Sequence, residues 1–375
     1  MSQELILLIE FLVKAIISSV VLLTGFAYMT YAERKVAAAL QSRIGPNRAG
    51  PFGLLQPAAD GIKIIFKEEF VPAGADKLMF HLAPVITVIP ALIILAVVPW
   101  GPPVAVPWRP EGDLMPLGFA DLNVGMLYIL SVASIAVYGI VLAGWSSNNK
   151  YSMMGGIRAS AQMVSYELTL GLSVIGPLMI AGSMSMGDIV NAQSGWWFVA
   201  LQPVGALLFY IAALAEVNRA PFDMPEAEQE LTAGYHTEYS GIKFTLFFMA
   251  EYIKMIGVSA IFVTLFLGGW RGPLVDQIPW LGLLWFWLKI GGSLVFMIWL
   301  RSTHPRLRYD RLMSLGWKVL IPVALANILV TAAAQISLPL MWGVIAVLVV
   351  LVGLVVIANW RRSQNAPAGV RRVRA

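Results

Sequence analysis

EVNRAPFDMPEAEQELTAGYHTEYSG, residues 216–241, separates two apolar runs at 196–216 and 242–268. Each run is near the roughly 20 residues that cross a bilayer as a helix. The segment sets Asp223, Glu226, Glu228 and Glu230 within eight positions, flanked by Glu216 and Glu238, in a chain that is only 13% charged. Carboxylates this close repel one another, so some hold their protons more tightly than isolated acids do, and their titrations are coupled. A low-dielectric membrane edge amplifies both effects. Pro221 and Pro225 fix φ and remove donors, so the segment is not one continuous helix. Gly234 and Gly241 let it bend. The chemistry suits proton uptake and release, in a loop set between membrane spans.

The rest of the 375 residues supports that placement. The chain is 58% hydrophobic, with a mean hydropathy of +0.76. Nine spans are predicted, at roughly 5–31, 78–100, 122–145, 157–182, 196–216, 242–268, 280–301, 317–338 and 340–360. The fold class is therefore all-α, a polytopic membrane helix bundle. No Lys or Arg precedes the first apolar run, which reads as a retained span and not as a cleaved signal. With the N-terminus outside, the inward segments hold 21 of the 26 Lys and Arg, and the outward loops hold only Arg109 and Arg271. The positive-inside rule then puts the C-terminus in the cytoplasm. The net charge of +5 is thus a topology signal and not a nucleic-acid footprint.

Two segments outside the spans stand out. In 51–70, Ile62, Ile65, Phe66 and Phe70 share one helical face, and Asp60, Lys63 and Lys67 another, as in a helix lying in the interface plane. Residues 361–375 form a basic tail suited to anionic lipid. The absence of cysteine excludes disulfides and iron–sulfur ligation by this chain. Three histidines offer no paired haem ligands within spans, and there is no dinucleotide fingerprint or P-loop. No flavin, haem, metal or iron–sulfur cluster is expected here.

Ionisable groups inside spans are costly and usually face a protein interior or a water path. Glu167, Glu216, Glu251, Lys254 and Lys289 are such groups, and Glu33 ends the first span. Glu251 and Lys254 are three apart and share a helix face. A chain of carboxylates running from the acidic loop into the membrane makes a proton route. The competing reading is a set of structural ion pairs that fix helix register.

Several long motifs occur in order along nearly the whole chain. They are Glu33-Arg34-Lys35, Gln41-Ser-Arg43-Ile-Gly-Pro-Asn-Arg48, and Gly50-Pro-Phe-Gly-Leu-Leu-Gln-Pro57 with Asp60 and Lys63. Gly144-Trp145-Ser-Ser-Asn148-Asn-Lys150-Tyr151, Arg158 to Gln162, Ser165-Tyr166-Glu167, the acidic loop and Arg301 to Trp317 follow. Together they resemble the family of H subunits of respiratory complex I, the proton-translocating NADH–quinone oxidoreductase. Arg311 and Ala49 depart from the family pattern at positions the mechanism does not need, and a ninth span is a variant of the usual eight.

The resemblance implies a multi-pass component of a bacterial plasma membrane, partnered by membrane-arm and peripheral-arm subunits and by lipid. Quinone is the implied substrate, and electrons arrive from iron–sulfur centres on neighbouring chains. Glu33, Arg34, Lys35, Arg43, Asp60, Lys63 and Arg219 are implied in the quinone chamber. Glu216, Asp223, Glu226, Glu228 and Glu230 would relay the charge change on quinone reduction, and Glu167 and Glu251 would pass it laterally. Arg301, Arg306, Arg308 and Asp310 are expected at a subunit interface. The alternatives are a related hydrogenase-type membrane anchor, a secondary transporter, or a scaffold.

Overall fold

The computed structural model describes residues 3–108, 114–224 and 233–350. Glu226, Glu228, Glu230, the basic tail and much of the expected last span fall outside those residues. The elements described are helical, apart from an isolated β-bridge between Val104 and Met115. Helices prevail because a segment in lipid has to satisfy its own backbone N–H and C=O groups.

The helices in chain order are α1 (Gln3–Leu40), α2 (Gln56–Ile65), α3 (Lys77–Ile93), α4 (Gly125–Ser146), α5 (Lys150–Ala181), α6 (Met186–Ala192), α7 (Phe198–Leu201) and α8 (Pro203–Glu216). Then come α9 (Gly241–Phe266), α10 (Leu281–Thr303), α11 (Tyr309–Leu315) and α12 (Ile321–Ile336), the last two joined by a π-turn at Gly316–Leu320. Seven of the described segments are long and apolar enough to cross a membrane. Pro203–Glu216 and Leu338–Val350 are shorter apolar helices.

Several bounds differ from the sequence expectation. The first helix continues past residue 31 to Leu40, because Ala32 to Leu40 holds no Gly or Pro to stop it. The fourth long helix starts at Lys150, where the Asn149 side chain accepts from Tyr151 N at 2.9 Å. It ends at Gly182, whose positive φ of 69° closes a left-handed cap. The run expected at 196–216 breaks at Gln202, because Pro203 starts a new helix. Within 51–70 the structure has a 3-10 turn, Pro51–Gly53, and the ten-residue α2. Ile62 and Ile65 on α2, and Phe66 and Phe70 beyond it, are all exposed.

The centre of the bundle is α3, α4, α5, α8 and α9. Helices α1 and α10 pack on α9 and on each other, and α12 packs on α5. Close approach needs small residues. A Cβ on Gly139 of α4 would lie 2.1 Å from Thr87 Oγ1 of α3. At the loop end, Tyr239 stacks on Phe80 with ring centroids 4.1 Å apart, and its O–H donates to Phe80 O at 3.2 Å. That contact pins the far end of the acidic segment against α3.

Candidate functional site

A cavity of about 1320 Å³ lies between α1, α2, the start of α9 and the end of α10. Phe26, Ala27, Phe244, Phe248 and Ile298 give it apolar walls, while Glu33, Arg34, Arg43, Asp60, Lys63 and Arg301 add charge to its lining. Arg34 Nη1 meets Asp60 Oδ2 at 2.7 Å, and Gln56 Nε2 holds the other oxygen of Asp60 at 2.9 Å. The α2 helix is thereby tied to α1 across the mouth. Lys35 turns instead over the Tyr31 ring, 5.8 Å from its centroid.

Glu33 is the hub at the inner wall. Arg301 pairs with one of its oxygens, Arg219 Nη1 stands 3.3 Å from the same oxygen, and the Tyr252 O–H donates to the other at 2.7 Å. Arg219 is 4% exposed. Its Nε lies 2.6 Å from Glu251 Oε1, and its guanidinium sits 4.3 Å from the centre of the Tyr252 ring. One arginine therefore joins the cavity carboxylate to a carboxylate inside α9. Buried charges of this kind persist only when paired and hydrogen-bonded.

The turn after α8 presents that arginine. Asn218 takes a left-handed φ of 58°, and Arg219 N donates back to Leu214 O. Gln162 of α5, fully buried, donates from Nε2 to Ala215 O at 2.8 Å and to Phe222 O at 2.7 Å, so it clamps both sides of the turn. Arg306 holds the Asp223 carboxylate at 3.1 Å and also donates to its carbonyl oxygen. Leu307 N donates to Pro221 O at 3.0 Å.

Glu216 and Lys254, each 8% exposed, both line two small cavities, one of which Glu251 also borders. Glu167 of α5 accepts a hydrogen bond from Ser134 of α4. Past the acidic segment, His236 packs against Phe244, Phe247 and Phe248, and burial pushes its imidazole down to about 3. The Tyr239 hydroxyl is pushed up to about 12 by burial, against the smaller opposing effect of its bond to Ser146.

The fold thus gathers Glu33, Arg34, Arg43, Asp60 and Lys63 at one cavity, and Arg219 connects it to Glu251. Arg301, expected at a subunit interface, is partly exposed, pairs with Glu33 and lines the cavity. Arg308 and Asp310 are exposed and 3.8 Å apart. Glu251 does not take Lys254 as its direct partner, because Arg219 reaches it first. Lys289 donates to the carbonyls of Leu267, Gly269 and Arg271 at 2.6, 3.0 and 2.6 Å, closing the end of α9. Tyr252 and Gln162 are site positions that the sequence reading missed. A tyrosine beside an intramembrane glutamate is the signal for the first, since a buried hydroxyl seeks a partner. Among the described residues, no group of three or more His, Asp or Glu is arranged to hold a metal ion.

The chain is thus a helical membrane bundle with a charged cavity joined through Arg219 to a carboxylate in its interior. The family model described as NADH dehydrogenase matches residues 13–332. The second of the H subunits of NADH-quinone oxidoreductase in Geobacter sulfurreducens is 54% identical over 311 residues, covering 83% of this chain and 92% of the relative. The corresponding H subunit of Protochlamydia amoebophila is 51% identical over 309 residues, 82% of this chain and 92% of the relative. That of Thermomicrobium roseum is 48% identical over 348 residues, 90% of this chain and 98% of the relative. The chain belongs to the family of H subunits of NADH-quinone oxidoreductase.

Proposed function

We propose that this chain forms the quinone entry chamber of a proton-translocating NADH–quinone oxidoreductase and couples quinone reduction to proton movement. As a member of the H-subunit family it is a membrane component of complex I, with other complex I subunits as partners. The observation that carries the reading is the cavity of about 1320 Å³ whose inner carboxylate, Glu33, shares Arg219 with Glu251. The apolar walls suit an isoprenoid tail, and the charged groups suit a headgroup passing to a neighbouring subunit. Membrane lipid would meet the exposed faces of α1 and α2. The excess of Lys and Arg on one side supports an outside N-terminus.

Reduction of a quinone consumes two electrons and two protons, so negative charge builds at the headgroup until protons reach it. Glu33 responds because its negative charge is balanced by two arginines, one of which Glu251 also claims. A shift of Arg219 toward Glu33 weakens its hold on Glu251, and Glu251 borders the cavity that Glu216 and Lys254 share. Glu216 and then Glu167 carry the change onward. Desolvation of the acids in 223–230 on quinone entry would favour a move of that loop. Membership of the family counts against the transporter and scaffold alternatives.

The test is a tagged chain purified from its native membrane and assayed for NADH oxidation with and without quinone. Co-purifying iron–sulfur subunits and quinone-dependent turnover are expected. Ala27→Trp, which narrows the cavity wall, should raise KM for a long-tailed quinone more than for a short one. Equal effects on both would reject the chamber.

A further inference from the structure

Lys254 lies near the middle of α9, deep among apolar side chains. Among the described residues its ammonium makes no direct ion pair or hydrogen bond. An isolated buried ammonium is expensive, and its position near carboxylates without contact calls for something between them. Glu216 from α8 and Glu251 on its own helix border the same cavity as Lys254. Two small cavities are lined by both Lys254 and Glu216. One, about 10 Å³, is otherwise apolar, with Pro90, Ala91 and Ile94 in its wall. The other, about 20 Å³, also takes in Thr87, Asn218 and His236. Asn218 Oδ1 and His236 Nδ1 are both buried and, among the described residues, have no hydrogen-bond partner. A water molecule needs roughly 10–15 Å³ and two to four polar partners. The second cavity meets both conditions and also holds the two unpaired acceptors.

We propose that Lys254 is the basic member of the buried relay, and that one ordered water in this cavity accepts from its Nζ and donates to Asn218 Oδ1 and His236 Nδ1. His236 acts as an acceptor at Nδ1 because its apolar surroundings keep the ring neutral, with its proton on Nε2. Lys254 then places a positive charge beside Glu216 and Glu251, which would otherwise repel one another. Asn218 and His236 bracket the acidic segment, one before it and one after. Lys254 is a positioning residue in this scheme, which rests on the reading of Glu216 as a relay carboxylate.

The experiment is electron cryomicroscopy of the intact complex at a resolution that shows ordered water. Density in the cavity, within hydrogen-bond distance of Lys254, Asn218 and His236, is expected. An empty cavity overturns the proposal. Lys254→Met should lower the protons moved per NADH oxidised in proteoliposomes by roughly two- to thirty-fold, the range of coupling effects within proteins. Lys254→Arg should restore most of it. An assembled Lys254→Met complex with the wild-type ratio overturns the role of Lys254. If Lys254→Met fails to assemble, Asn218→Leu takes its place, with loss of the water density and a lower ratio expected and retention of both contrary to the proposal. Density together with a normal ratio in Glu216→Gln would sink the relay reading and leave the water site standing. No density together with an uncoupled Glu216→Gln complex would sink the water site alone.

Discussion

Arg219, at the turn after α8, reaches Glu251 of α9 at 2.6 Å while another of its nitrogens lies 3.3 Å from Glu33 of α1. Three distant parts of the chain meet through one guanidinium. Arginine suits this position because its planar fork serves two carboxylates at once and keeps its charge when buried.

Arg219→Ala removes the shared cation and leaves two acids without it. Breaking a buried pair costs about 3–5 kcal/mol. The expected result is a complex that assembles poorly and melts at a lower temperature, read by yield and thermal shift. Arg219→Lys should recover only part of the stability, since a lysine cannot span both partners. A full-yield Arg219→Ala complex with unchanged melting would contradict the shared-cation role.

Glu216→Gln keeps the shape of a buried side chain and removes its ionisation. Assembly should be normal. Quinone-linked proton pumping should fall by on the order of tenfold, which corresponds to about 1.4 kcal/mol on a barrier. Proteoliposome pumping against NADH turnover is the measurement, and intact pumping takes Glu216 out of the relay.

Gln162→Leu leaves the Ala215 and Phe222 carbonyls without their clamp. An unsatisfied buried group costs about 1–3 kcal/mol. The turn carrying Arg219 should loosen, which hydrogen exchange over residues 214–224 would register as faster exchange. Unchanged exchange would mean the clamp is dispensable.

His236 titrates near 3 in the folded chain against an ordinary 6.5. Between those values an exposed His236 binds a proton that the buried one refuses. Burial of His236 is therefore fully favoured above 6.5 and weakens as pH falls toward 3. Limited proteolysis of the 217–241 segment should quicken with acidification, and His236→Asn should flatten the response. A His236→Asn profile identical to wild type would remove His236 as the cause. Of the ionisable groups nearby, Lys254, Glu216 and Glu251 face the same cavity, so the comparison with His236→Asn is what isolates the histidine.

Hydropathy and charge along the chain were enough to define the all-α membrane bundle and to mark most of the charged positions at its core. Hydropathy is a local property, and an ionisable residue such as Glu167 or Glu216 within an apolar run is conspicuous wherever it folds. The family motifs were legible for the same reason, since they are contiguous. The pairing of those charges came from packing. Glu251 and Lys254 sit three apart on one helix, yet Arg219, over thirty residues away, takes the carboxylate and leaves the lysine beside Glu216. Arg301 lies in a basic segment expected at a subunit interface, and its spacing gives no hint that it pairs with Glu33 of the first helix. A buried charge seeks the partner that best replaces its lost water, and which partner lies within reach depends on helix packing and turn geometry, neither of which is written in local spacing.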